Sequence, residues 1–426
     1  MFLKFYNFRL LSPGILFSLV WIFALITAWV FPFDSRDLNL TTYVIILGFC
    51  LLFLAFDFFL SPSSRNIVFP VIAFDSLRVF RYYARLFFFL WLFIFLLTIA
   101  YTGDLPLLSL ITGSGFTYTS FAIPTLGGLG NLSRIISLQL ILIYLLYSLY
   151  SRAKFQLTDI SGFFLLLFSP IVFTLSRGDQ VLCLLTVAFT GALFFPRTFM
   201  QFKFRSDNYF LYTILLLPTA LLLFGFFQYA RHGNLGVLSA DQPEAISYFL
   251  AQSRFELLNE FFGFHPGLHL VFSALIVYIS APIYNLSLQL DTFHWFAFSD
   301  SIFSSIFPTV IRDFFFPSSA DRYGELVIEA FNTSTFMPSF FNSFGIIGGS
   351  VLIAFIFFVA SICYSRSLSS LSLYYRFLYP FLASSIALSF FSNFFLILTV
   401  LMSPIILSPL CTRLKHCYTF LPVRSL

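Results

Sequence analysis

Arg177 and Asp179 sit two residues apart in SRGD (176–179), a charged pair squeezed between two apolar runs. A guanidinium is a planar fork that keeps its charge when partly desolvated, so at that depth it suits a diphosphate or an acidic sugar. The same spacing also fits an Arg–Asp pair that only closes on itself or snorkels to the interface. Arg231 and His232 form a second polar step after an apolar run, and His232 is either a general base or a structural hydrogen-bonding group. Arg254 falls between Leu250 and Leu258 on a helical i, i+4 row, where it could meet phosphate or pair with Glu256 or Glu260. Asp321, Glu325 and Glu329 repeat every four residues, an unfavourable stripe unless Arg312, Arg322, a sugar or a cation relieves it, and otherwise a solvated face. Metalloprotease, P-loop and nucleophile-elbow patterns are absent from the sequence, so nucleotide-fuelled chemistry and a bound metal or other cofactor are not expected.

The elements that carry these residues are apolar. With 59% hydrophobic and 10% charged residues, the composition excludes a soluble fold. Runs of spanning length lie near 11–31, 41–60, 86–101, 135–150, 158–175, 180–196, 209–228, 344–362, 377–391 and 394–411, the last two as a tight hairpin around Ser392 and Asn393. The expected fold is all-α: a single polytopic membrane domain over 1–426 with ten to twelve transmembrane helices. Residues 268–284 are apolar enough to cross, and read as re-entrant or interfacial, or as one of two extra crossings paired with 292–311. The N-terminus, running from Lys4 and Arg9 into the first apolar run, reads as a retained span with its start in the cytoplasm.

That orientation leaves seven basic residues outside, all arginine: Arg36, Arg134, Arg177, Arg231, Arg254, Arg312 and Arg322. Only Asp57, Asp75, Asp159 and Asp207 of the acids fall inside, in keeping with the positive-inside rule. Residues 102–134 and a large periplasmic loop, 229–343, then face outward. The loop is partly helical, because Asp241, Pro243 and Glu244 form a helix start ahead of an apolar stripe over 241–262. The basic residues serve as topology signals, so nucleic acid is excluded as a partner and the bilayer is the expected one. Five cysteines without a CxxC pair offer neither a disulfide framework nor a metal site.

Three stretches carry a family resemblance: IPTLGGLGN (123–131), LSRGDQVLCLL (175–185) and FNTSTFMPSFFNSFGIIGG (331–349). In this order, on this architecture, they resemble the Wzy-type O-antigen polymerases, the oligosaccharide repeat-unit polymerases of surface polysaccharide. Asn342 and Ser343 stand where such proteins often carry an acid. The resemblance implies a glycosyltransferase of the bacterial inner membrane in lipopolysaccharide biosynthesis. It would transfer the growing glycan from undecaprenyl diphosphate to a sugar hydroxyl of a new repeat unit at the periplasmic face, alongside a chain-length regulator in the same membrane. On that reading Arg177, Arg231 and Arg254 recognise diphosphate and acidic sugar, His232 or Asp179 is the base, and Arg312, Arg322, Asn332, Thr333 and Thr335 contact the oligosaccharide.

Three alternatives stand beside it. An O-antigen ligase would use the same donor with a lipid A-core acceptor. A polysaccharide or lipid-linked sugar transporter would call for charges within the spans and a repeated half, neither of which the sequence displays. A non-enzymatic scaffold would need no arginine at several outer span ends.

Overall fold

The computed structural model describes residues 11–31, 38–62, 67–72, 76–102, 124–150, 156–174, 177–194, 266–299, 335–393, 395 and 397–422. These form ten α-helices: α1 (Pro13–Val30), α2 (Leu40–Leu60), α3 (Leu77–Thr102), α4 (Pro124–Tyr150), α5 (Leu157–Thr174), α6 (Arg177–Phe194), α7 (Pro266–Leu290), α8 (Met337–Ser369), α9 (Leu373–Ala387) and α10 (Leu398–Leu414). Five of them are long and apolar enough to cross a membrane, namely α1 to α4 and α8. Leu51, Phe58, Phe89, Phe93 and Val351 point outward with most of their surface bare, an arrangement that lipid stabilises and water would not. The protein is therefore an all-α membrane protein with several transmembrane helices.

Local chemistry fixes where the helices start. Pro13 occupies the first turn of α1, and the orphan amides beyond it are met from another helix: the Asp57 carboxylate, in the last turn of α2, accepts from Gly14 N at 2.7 Å and Ile15 N at 3.2 Å. Ser361 Oγ of α8 donates to the same carboxylate at 3.1 Å, so one acid joins three helices. Gly14 is required there, since a Cβ would lie 2.3 Å from Phe53 O. At the far end of α1 and α2, Asn39 caps α2 through Thr41 N, takes Ser287 Oγ of α7 on its own N–H and donates to Asp291 at 2.6 Å. Tyr284 donates to Ala28 O at 3.0 Å, so the C-terminal half of α7 runs alongside α1 and parallel to it.

Two packed bodies result. One joins α1, α2, α7 and α8 around Phe17, Trp21, Phe53 and Phe357, with the Phe53 and Phe357 rings stacked 3.7 Å apart. The other joins α3, α4, α5, α6, α9 and α10. One end of the bundle is basic: Arg78, Arg81 and Arg85 open α3, Arg366 ends α8, Arg376 opens α9, and Arg413 and Lys415 end α10. An antiparallel two-stranded ribbon closes that end, with Val68–Ile72 (β1) paired to Tyr418–Pro422 (β2). Arg376, fully buried, donates to Leu193 O at 2.9 Å and to Val68 O, tying α9 to α6 and to the ribbon.

Several sequence expectations are corrected. The stretch 268–284 belongs to one helix, about 37 Å long at 1.5 Å per residue, whose C-terminal half packs against α1. Its supposed partner does not begin at 292, because 291–299 is non-helical and covers α8: Ser299 N donates to Ser343 O and Ile346 N to His294 O. The helix α8 is not a simple span. At Gly345 (φ 69, ψ 175) it doubles back, so Met337–Phe344 forms a short arm packed against the long arm, with Phe340 backbone where a Cβ on Gly349 would sit.

The α9–α10 hairpin is built of two short helices. At 15 residues α9 rises only about 22 Å. Its tip lies inside the bundle, level with Trp21 in the middle of α1: Trp21 Nε1 donates to Ser389 Oγ at 2.8 Å and Phe336 N to Ser389 O at 3.0 Å. Two interrupted segments thus meet inside the bundle. Irregular backbone is tolerated at that depth because protein, not lipid, surrounds it.

Candidate functional site

Toward the end opposite the basic one, Arg134 and Gln180 carry buried polar atoms without a hydrogen-bond partner. IPTLGGLGN, expected in an outward segment, instead supplies the first turns of α4 from Pro124 onward. Its small residues allow close neighbours. A Cβ on Gly130 would meet Ile94 of α3 at 3.1 Å, and Gly128 O accepts from Thr399 of α10 at 3.2 Å. One turn below Gly130 on the same side comes Arg134.

Arg134 was expected to face outward. It is instead buried, at 3% exposure, between α4, α5 and α6. Its Nη1 reaches Ser169 Oγ of α5 only at 3.5 Å, while Nε and Nη2 have no hydrogen-bond partner. Gln180 of α6 is equally buried, and neither its amide oxygen nor its nitrogen is bonded. Asp179 and Gln180 lie one helical turn from Cys183, and Arg134 and Asp179 both act electrostatically on that thiol. Arg134, Ser169, Asp179, Gln180 and Cys183 therefore form one cluster, a short distance below the start of α6.

Deeper along the same interface, polar groups find partners apart from Gln139 Oε1. Gln139 Nε2 donates to Thr190 Oγ1 at 2.9 Å, and Thr186 Oγ1 bonds Ser384 Oγ at 2.9 Å. Arg376 differs in that both Nη atoms of its buried guanidinium donate to carbonyl oxygens, with Nε alone unbonded. A guanidinium left short of acceptors in a water-poor interior costs several kcal/mol. What Arg134 and Gln180 jointly lack is a ligand that accepts from a guanidinium fork and from an amide N–H, which is the chemistry of a phosphate or carboxylate.

Among the residues singled out from sequence, Arg177 is the first residue of α6, and Asp179 follows in its first turn, where a carboxylate is favoured by the helix dipole. Thr335 is buried, 2% exposed, just before the short arm of α8, and its Oγ1 has no partner. It is on the other packed body from Asp179, beside Phe336, whose carbonyl takes Asn393 Nδ2 at 3.5 Å. Arg231, His232, Arg254, Arg312, Arg322, Asn332 and Thr333 lie outside the described residues, as do the run 209–228 and the helix expected over 241–262.

Sequence reasoning gave no role to Arg134 or Gln180. A signal was present: no acid stands within four residues of Arg134 on either side, while Ser133, Ser137 and Gln139 surround it with polar groups. An arginine entering an apolar run with no carboxylate in helical reach must find its partner elsewhere. No family model, curated protein or solved structure matches the chain. What fold and site together define is a class: a polytopic all-α membrane protein with an under-bonded cation buried near one end of its bundle.

Proposed function

We propose that the protein is a glycosyltransferase that polymerises lipid diphosphate-linked oligosaccharide repeat units of a bacterial surface polysaccharide at the periplasmic face of the inner membrane. The observation that carries this reading is Arg134, buried with two nitrogens unbonded on a helix packed against α6, where Gln180 is buried and unbonded too. The three stretches that resemble Wzy-type polymerases support it, since one of them supplies Asp179, Gln180 and Cys183 of this cluster and another opens the helix that carries Arg134. On the positive-inside rule the basic end faces the cytoplasm, and the cluster then lies in the outer half of the membrane, within reach of a lipid-borne phosphate.

The transfer breaks the bond between the anomeric carbon of the growing glycan and its lipid diphosphate. A glycosidic bond forms to a hydroxyl of the incoming repeat unit, whose proton passes to a base. The diphosphate departs with the bonding electrons. Arg134 and Arg177 receive its developing charge, Gln180 donates an amide N–H to it, and Arg231 and Arg254 add cations from the loop. Asp179 or His232 takes the proton. Arg312, Arg322, Asn332, Thr333 and Thr335 hold the sugars, and a chain-length regulator in the same membrane is the protein partner.

A second reading, export of a lipid-linked sugar, gains from the two interrupted segments that meet inside the bundle, since transporters build their sites from broken helices. Replacing Arg177, Arg231 and Arg254 one at a time separates the two readings. Each variant should abolish long chains on a lipopolysaccharide gel, at unchanged protein abundance, while single repeat units still reach the core. Loss of all repeat units from the core in these variants would favour export, and wild-type chain length in all three would refute the assignment.

A further inference from the structure

The basic end carries a cavity of about 210 Å³ between α3, α4 and α5 that the proposed chemistry does not use. Arg81 and Arg85 line its mouth with Asp159, Tyr144, Phe89 and Gly162 nearby. The charges do not balance. Asp159 is 7% exposed and holds Arg81 at 2.8 Å and Arg85 at 3.5 Å, one carboxylate for two guanidiniums. Arg81 is further fixed by Gln156 and by the Tyr144 ring, 5.5 Å from its guanidinium carbon. Arg85 keeps 52% of its side chain exposed at the mouth, and exposed Arg78 continues the stripe one turn nearer the helix start.

Behind the arginines the walls turn apolar, and Gly162 leaves a gap: nothing lies within 4 Å of where its Cβ would be. Phe89, 62% exposed, borders the cavity on its lipid-facing side. A concave site with a net positive mouth at the membrane surface, and an apolar slot open toward the bilayer, is complementary to one kind of molecule. We propose that this cavity binds an anionic phospholipid of the leaflet at the basic end, with its phosphodiester on Arg85 and Arg81 and the first methylenes of an acyl chain in the slot beside Phe89 and Gly162. Asp159 holds the two guanidiniums in place and repels a second anion. The site is independent of the Arg134 cluster and does not rest on the polymerase reading.

The test uses the full chain, purified in a neutral detergent, with thermal unfolding followed as phosphatidylglycerol, phosphatidylcholine or undecaprenyl phosphate is titrated in. Phosphatidylglycerol should raise Tm with saturation at low micelle fractions, and phosphatidylcholine should not. Two variants spare the fold: Gly162→Leu fills open space within a helix, and Arg85→Gln alters a half-exposed side chain. Each should weaken the phosphatidylglycerol effect at least tenfold while leaving lipid-free Tm near wild type. Equal shifts with both phospholipids, or a phosphatidylglycerol shift unchanged in both variants, overturns the proposal. An Arg85-dependent shift with undecaprenyl phosphate alone overturns it as well, because the occupant would then be a substrate-type lipid.

Discussion

Arg134→Met should abolish polysaccharide chains beyond a single repeat, by a hundredfold or more, without lowering the thermal stability of the protein. Most core substitutions that stop activity also weaken folding, so this separation is diagnostic. Methionine has a similar length and no charge, and exchanging a buried, poorly paired ion for an apolar side chain is often neutral or stabilising by about 1–4 kcal/mol. Arg134 resembles that case, since its one hydrogen-bond contact is Ser169 Oγ, at 3.5 Å, and Nε and Nη2 are unbonded. Arg134→Lys keeps the charge and loses the fork, and should retain a fraction of activity. Arg376→Met is the control. It removes the links to Leu193 O and Val68 O that hold the ribbon and α6 to α9, so abundance and Tm should both fall. Chains of normal length in Arg134→Met, or a fall in Tm as deep as that of Arg376→Met, would make Arg134 a structural residue.

Gly345→Ala should be among the most damaging single-methyl additions in the described part of the chain. At φ 69 and ψ 175 the backbone occupies a region that glycine alone visits without strain. The added Cβ would also lie 2.7 Å from Trp295 O, Phe296 Cα and Ala297 N, backbone atoms that cannot turn aside. Conformational strain and overpacking each cost about 1–3 kcal/mol, so roughly 3–5 kcal/mol is expected in all. The short arm of α8 would swing away from the long arm, and with it Phe336 and Thr335. Thermal unfolding with a size-exclusion profile checks this, with Gly48→Ala as comparison, because nothing lies within 4 Å of that site and a helical alanine is favoured by about 1 kcal/mol. Equal stability of the two variants would show that the doubled-back α8 is not needed.

The apolar runs were legible because lipid demands them: α1, α2, α5 and α6 fall within a few residues of the runs read from sequence. Their interruptions were not, since hydropathy records how apolar a segment is and not whether it continues. FMPSFFNSFGIIGG reads as one span entry, yet Gly345 folds it in two. Ser392 and Asn393 mark a turn correctly, but its depth depends on α9 being 15 residues long, a boundary that side-chain pattern does not fix. The starts of α3 and α4 were set too late for a related reason. Arg81, Ser133 and Arg134 look like loop residues by type, and are helical because their polar ends face protein rather than lipid. The ribbon joins residues 346 or more positions apart and leaves no local trace. SRGD was recognised as a helix entry with chemistry in it, whereas its buried neighbours Arg134 and Gln180 gained meaning only once α4 and α6 were side by side.

The central claim is that this protein joins repeat units beyond the membrane, and the lipopolysaccharide banding of a deletion strain tests it most directly. The expected pattern is core carrying a single repeat unit and no ladder, with the ladder restored by the wild-type chain and not by Arg134→Met. A bare core, or a ladder unchanged by the deletion, would contradict it.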